Sequence, residues 1–131
     1  MLRDASVQPM LPVKDLEAAA RFYGETLGLE RVSAEPGVAV VYRSGGTTLC
    51  VYRSQFAGTN QGTAALWEVD DVEGTAKELR ARGVSFEKYD LPGLTHQGDI
   101  HRGGDLRVAW FKDPAGNILS IQNRPARASR S

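Results

Sequence analysis

The chain is written twice, and that repetition restricts its fold more than any other feature. "VKDLEAAARFYGETLGLERV" begins at Val13 and "VDDVEGTAKELRARGVSFEK" begins at Val69. A shift of 56 residues sets Val13 on Val69, Asp15 on Asp71, Leu16 on Val72, Glu17 on Glu73 and Ala20 on Ala76. Each copy has the apolar spacing of an amphipathic helix: Leu16, Ala19, Ala20, Tyr23 and Leu27 in the first, Val72, Ala76 and Leu79 in the second. Asp15 and Asp71 stand where a side chain caps free amides, and Glu17 and Glu73 suit the positive end of the helix dipole. Gly28 and Gly83 are natural C-terminal stops.

A second echo follows at a shift of 70 residues: "GVAVVYRSGGTTLCVY" (37–52) matches "RVAWFKDPAGNILSIQ" (107–122). Its later copy turns at Asp113-Pro114-Ala115-Gly116-Asn117. There Pro114 pre-sets φ, Gly116 takes a positive φ, and Asp113 or Asn117 can bond local amides. Each half then reads strand, helix, strand, strand, strand. The strands are expected near 6–12, 29–34, 37–43 and 47–53, then 63–69, 84–89, 106–112 and 117–123. The two shifts differ by 14 residues, which places an insertion in the second half only. It is "DLPGLTHQGDIHRGG", about 90–104, and it holds both histidines. A loop that long inside a small domain is more often functional than idle, and a lid is the natural role for it.

The expected fold is therefore α+β: two βαβββ modules related by pseudo-twofold symmetry, with a curled mixed sheet enclosing a cup and the helices outside. The 131 residues suit a single domain. Module one covers about 6–54, module two about 62–123, and 124–131 form a frayed basic tail. Sixteen acidic and sixteen basic side chains cancel. That balance supplies no field to draw in nucleic acid or an anionic membrane. Cys50 is the only cysteine, so no internal disulfide can form and a reducing compartment is expected. The opening "MLRDASVQ" has no apolar signal core, which makes the cytoplasm the default location.

These segments resemble the vicinal-oxygen-chelate superfamily of glyoxalases, bleomycin-resistance proteins and extradiol dioxygenases. "PVKDLEAAARFYGETLGLE" is similar to its first-half signature, "WEVDDVEGTAKELRARGV" to its second helix entry, and "FKDPAGNILSIQ" to its closing hairpin. The matches span roughly residues 7 to 122. The resemblance implies a homodimer and a divalent metal held by His, Gln or Glu on strands lining the cup. The corresponding positions are Gln8, five residues before Val13, its mate Ala64, five before Val69, and Ser120, where the enzymes usually carry Glu. The internal repeat relates Gln8 to Ala64 and Cys50 to Ser120, so pseudo-symmetry would bring all four to one point.

Gln, Cys, Ala and Ser are a poor donor set, because divalent metals require several carboxylates, imidazoles or thiolates. No cofactor and no metal are expected there. His96, Asp99 and His101 lie within six residues and could converge on a cation, or could belong to a solvated loop. His-x4-His in a loop has no fixed geometry, unlike the same pair on a helix.

Alternation along the strands sets Met10 and Pro12 on the face of Gln8, Leu66 and Glu68 on that of Ala64. Thr48 and Tyr52 share the face of Cys50, and Ile118 and Gln122 that of Ser120. Val7, Leu11, Leu49, Ala65, Trp67, Leu119 and Ile121 would face the helices. Trp110 faces the cup or the helices according to a one-residue choice of hairpin register. In the cup, Trp110 and Tyr52 would offer flat platforms to an aromatic ligand. Glu68 is either a base in an apolar setting or a solvated strand-end carboxylate. Cys50 lacks a neighbouring histidine and reads as a small hydrophobe.

The expected ligand-binding set is thus Gln8, Met10, Cys50, Tyr52, Ala64, Leu66, Glu68, His96, His101, Trp110 and Ser120, with no catalytic residue assigned. Two functions follow. One is metal-independent binding of an aromatic or apolar metabolite or antibiotic, with the 90–104 loop as lid. The other is a glyoxalase-, dioxygenase- or isomerase-like enzyme with an atypical metal or acid–base site.

Overall fold

Both helix entries form as their capping residues dictate. Asp15 Oδ1 accepts from the amides of Glu17 and Ala18 at 3.0 and 3.2 Å and opens α1 (Leu16–Ala20). Asp71 Oδ1 accepts from the Gly74 amide at 2.9 Å and opens α2 (Val72–Ala81). These contacts belong to a computed structural model that describes residues 1–123. The expected tail, 124–131, lies outside the described residues. The first helix does not run unbroken to Leu27. Arg21–Thr26 widens into a π-helical turn in which the Leu27 amide reaches back to the Phe22 carbonyl at 2.8 Å. Gly24 inside that turn weakens the α-helical alternative. Gly28 and Gly83 end the helices with φ of 76° and 96°.

The described residues form two compact units, one of residues 1–61 with 113–117 and the other of 62–112 with 118–123. The sheet of the first unit has the order β1 (Met10–Val13), β4 (Thr47–Arg53), β3 (Ala39–Ser44), β2 (Glu30–Glu35). Strands β1 and β4 run parallel, and the others antiparallel. Leu11, Val13, Val40, Tyr42, Leu49 and Val51 are buried with Ala19 and Tyr23 of the helical segment. Strand β1 begins at Met10, later than expected, and Val7 is 86 % exposed instead of packing under a helix. Pro9 supplies no amide to a ladder, which explains the late start.

The second unit repeats the plan. Its order is β5 (Thr63–Glu68), β10 (Ile118–Gln122), β9 (Leu106–Lys112), β8 (Ile100–Gly103), β7 (Thr95–Gln97), with β6 (Phe86–Glu87) also on β9. Again the first strand pairs in parallel with the last. Ala109, Phe111, Leu119 and Ile121 are buried on one face together with Val72, Ala76 and Leu79 of α2, which touches β9 and β10. The repeat is exact in register. Met10 pairs with Cys50 in the first unit, and Leu66 pairs with Ser120 in the second.

The inserted segment differs from its expected form. Residues 95–103 make a hairpin whose second strand continues the sheet from β9. Arg80 of α2 reaches Asp99 at 2.7 Å, and Arg102 reaches Glu73 at 3.0 Å. The insertion is a wall strapped to a helix. The reason is tertiary: β8 pairs with β9 through His101–Val108, Arg102–Arg107 and Gly103–Leu106, a partner that the glycine-rich sequence does not announce.

The closing turn is stitched by its own side chains. Asp113 Oδ1 accepts the amides of Ala115 and Asn117 at 2.9 and 2.8 Å. Its Oδ2 accepts Tyr23 Oη at 2.7 Å and Asn117 Nδ2 at 2.8 Å. Asn117 Nδ2 also donates to the Pro12 carbonyl at 2.7 Å. No helix among the described residues is long and apolar enough to cross a membrane.

Candidate functional site

Residues paired directly across a ladder share a face, so the registers sort the expected site residues without ambiguity. In the first unit Met10 and Cys50 are partners, and Pro12 and Tyr52 are partners one step along. Met10 is half exposed, Cys50 is buried and Tyr52 is half-buried. Gln8 precedes the strand, is exposed, and donates from Nε2 to Thr48 Oγ1 at 3.0 Å. Burial pushes the Cys50 thiol pKa up, so the sulfur is a thiol at neutral pH.

In the second unit Ser120 lies between Leu66 and Trp110, its partners on either side. This settles the facing of Trp110: it shares the face of Ser120, opposite the one that α2 covers. Leu66 is about half exposed and Ser120 is buried. Glu68 pairs with Gln122 and is exposed. Ala64 falls at an irregularity in the ladder, between Thr63 and Ala65, which pair with Ile118 and Leu119. Trp110 Nε1 donates to Thr63 Oγ1 at 3.1 Å, which fixes the indole plane.

The same face continues across β9 onto the insertion. His101 pairs with Val108 and His96 pairs with His101. His101 stands 4.8 Å from the Trp110 ring at an interplanar angle of 81° and 5.2 Å from the His96 ring. Tyr89, absent from the expected set, joins them at 5.3 Å from Trp110 and 6.4 Å from His101. Its only sequence signal was an aromatic residue at the edge of the insertion. Four rings thus form a continuous aromatic wall, in which Trp110 meets Tyr89 and His101 edge to face, Tyr89 stacks on His101, and His96 lies tilted against His101.

The wall is electrostatically fixed as well. His101 Nε2 accepts the Tyr89 amide at 3.0 Å, so the neutral ring carries its proton on Nδ1. Burial, and then the adjacent His96, lower the His101 pKa below 6.5. The Tyr89 hydroxyl is raised by burial and by Glu87. Neither group ionises near neutrality.

The chain belongs to the Glyoxalase/Bleomycin resistance protein/Dioxygenase superfamily, whose family model matches residues 6–121. A probable lactoylglutathione lyase from Vibrio parahaemolyticus is 26% identical over 134 residues, 91% of each chain. Among solved structures, lactoylglutathione lyase from Agrobacterium tumefaciens superposes with a TM-score of 0.70 at 23% identity, over 92% of this chain and 93% of that one. The antibiotic binding protein TnmS3 from a Streptomyces species is 25% identical, with a TM-score of 0.65, over 93% and 98% of the two chains. The α+β fold is that of these neighbours.

The metal that the resemblance implies does not fit the residues present. Ala64 has no donor atom, Ser120 offers a neutral hydroxyl, and Cys50 is held as a thiol. Nor does the insertion compensate. The Nδ1 of His101 carries a proton and its Nε2 is already an acceptor, while Asp99 is engaged by Arg80. Among the described residues no three His, Cys, Asp or Glu side chains are grouped to hold a metal ion.

Proposed function

We propose that the protein is a metal-independent small-molecule-binding protein that holds an aromatic or apolar metabolite or antibiotic against the open sheet face of its second unit. The observation that carries this reading is the aromatic wall of Trp110, His101, Tyr89 and His96, with the half-exposed Leu66 beside it. Apolar and aromatic side chains with a few placed polar groups are the usual lining of an organic-ligand site. The likeness to an antibiotic binding protein at 25% identity supports the same reading. One family model spans both units, so they are read as halves of a single domain. The exposed Val7 and Met10 favour a homodimer, and the lone buried thiol of Cys50 suits the cytoplasm.

The likeness to a probable lactoylglutathione lyase favours a second reading, an enzyme with an atypical site. One experiment separates the two. The purified full chain is titrated with a panel of aromatic antibiotics and metabolites while tryptophan fluorescence is followed. It is then assayed for lactoylglutathione lyase activity with and without added Ni, Zn and Mn. Saturable quenching that Trp110→Phe removes, without turnover, is the expected result. Metal-dependent turnover would replace the binding reading with the enzymatic one.

A further inference from the structure

His101 has no exposed surface, yet only one of its two nitrogens is used. Nε2 accepts the Tyr89 amide, which leaves the ring proton on Nδ1. Nδ1 makes no hydrogen bond, although the Val108 backbone near the ring favours its protonated form. The hydroxyl of Tyr89 is also buried and without a partner. Native chains rarely leave buried donors unmade. Here two adjoin the same indole, that of Trp110.

We propose, resting on the binding reading above, that this trio selects a planar aromatic molecule bearing a neutral carbonyl oxygen, which accepts the Nδ1 proton of His101 while its ring packs against Trp110. The Tyr89 hydroxyl supplies the second hydrogen bond, as donor or acceptor. A neutral acceptor is preferred over a carboxylate because carboxylates already surround the site. Glu87 is the ladder partner of Trp110, and Asp90 lies 3.7 Å from His96. A cationic imidazole is no alternative partner for an anion, since a proton on Nε2 would face the Tyr89 N–H head-on. His101 is closed over in this structure, so the proposal requires His96, on the outermost strand and 35% exposed at its side chain, to swing aside and admit the ligand.

The test compares three shape-matched probes on the full chain by calorimetry: 2-acetylnaphthalene, 2-ethylnaphthalene and 2-naphthoate. The ketone should bind roughly tenfold more tightly than the ethyl compound, the increment of one buried hydrogen bond, and more tightly than the carboxylate. His101→Phe should lose that preference. Because the variant can fail for reasons of folding, long-range proton–nitrogen spectra of the wild-type chain provide a second readout. They should show the Nδ1–H tautomer and a shift of Nδ1 with the ketone alone. Equal binding of ketone and ethyl compound overturns the carbonyl inference while leaving the aromatic site intact. Absence of binding by all three overturns the site itself, and the inference with it.

Discussion

Replacing Tyr23 by Phe tests the idea that the closing turn is held by one buried carboxylate. Asp113 is 5% exposed and receives four hydrogen bonds, from Tyr23, Ala115 and twice from Asn117. The phenylalanine keeps the ring and its contacts with Phe22 and Tyr42, so only the 2.7 Å bond is lost. A hydrogen bond to a charged group contributes about 1.5–3 kcal/mol, and the three remaining donors keep the carboxylate satisfied. The expected loss is about 2 kcal/mol. Asp113→Asn should cost more, about 3 kcal/mol, and the geometry says why. With its oxygen kept on the two backbone amides, the new NH2 faces Tyr23 and Asn117. The Tyr23 hydroxyl can rotate to accept, but Asn117 Nδ2 cannot turn away without abandoning the Pro12 carbonyl. Urea denaturation of both single variants measures the two losses. A Tyr23→Phe loss under about 0.5 kcal/mol would refute the hub.

Two other outcomes are expected. His101 resists protonation in the native state, so the unfolded chain binds the extra proton below pH about 6.5. Stability should therefore be flat above that value and decline as pH falls towards about 5, a slope that His101→Phe removes; urea midpoints at stepped pH measure it, and a stability that rises on acidification would contradict it. Gly58 has φ of 80°, and a Cβ there would collide with the Ala115 carbonyl oxygen. Gly58→Ala should then lower the urea midpoint by an amount equivalent to about 1–3 kcal/mol.

The repeat made the two ladders legible before any coordinates. The two shifts carry Met10 onto Leu66 and Cys50 onto Ser120, so that each ladder had to repeat the other, although the pairing within a ladder came only from the strand partners. The caps and stops at Asp15, Asp71, Gly28 and Gly83 follow from local chemistry. Local rules fail where partners are distant. Nothing near Tyr23 announces Asp113, and nothing near Tyr89 announces the His101 imidazole. Val7 has the right residue type for a strand but lies beyond Pro9, outside the ladder. The β7–β8 hairpin was hidden because glycine-rich composition resembles a loop while pairing depends on β9. Trp110 required a register that only the strand partners supply.

The turn at 113–117 belongs to the first unit although the chain reaches it last. Tyr23 is synthesised ninety residues ahead of its acceptor. At ordinary elongation rates that is a delay on the order of ten seconds. Once Arg53 has been added, the leading half of a nascent chain has its helix and four strands but still lacks the clasp that completes them. Synthesis that stops before Asp113 also withholds β10 from the second unit, so neither module is complete until the chain has passed Gln122.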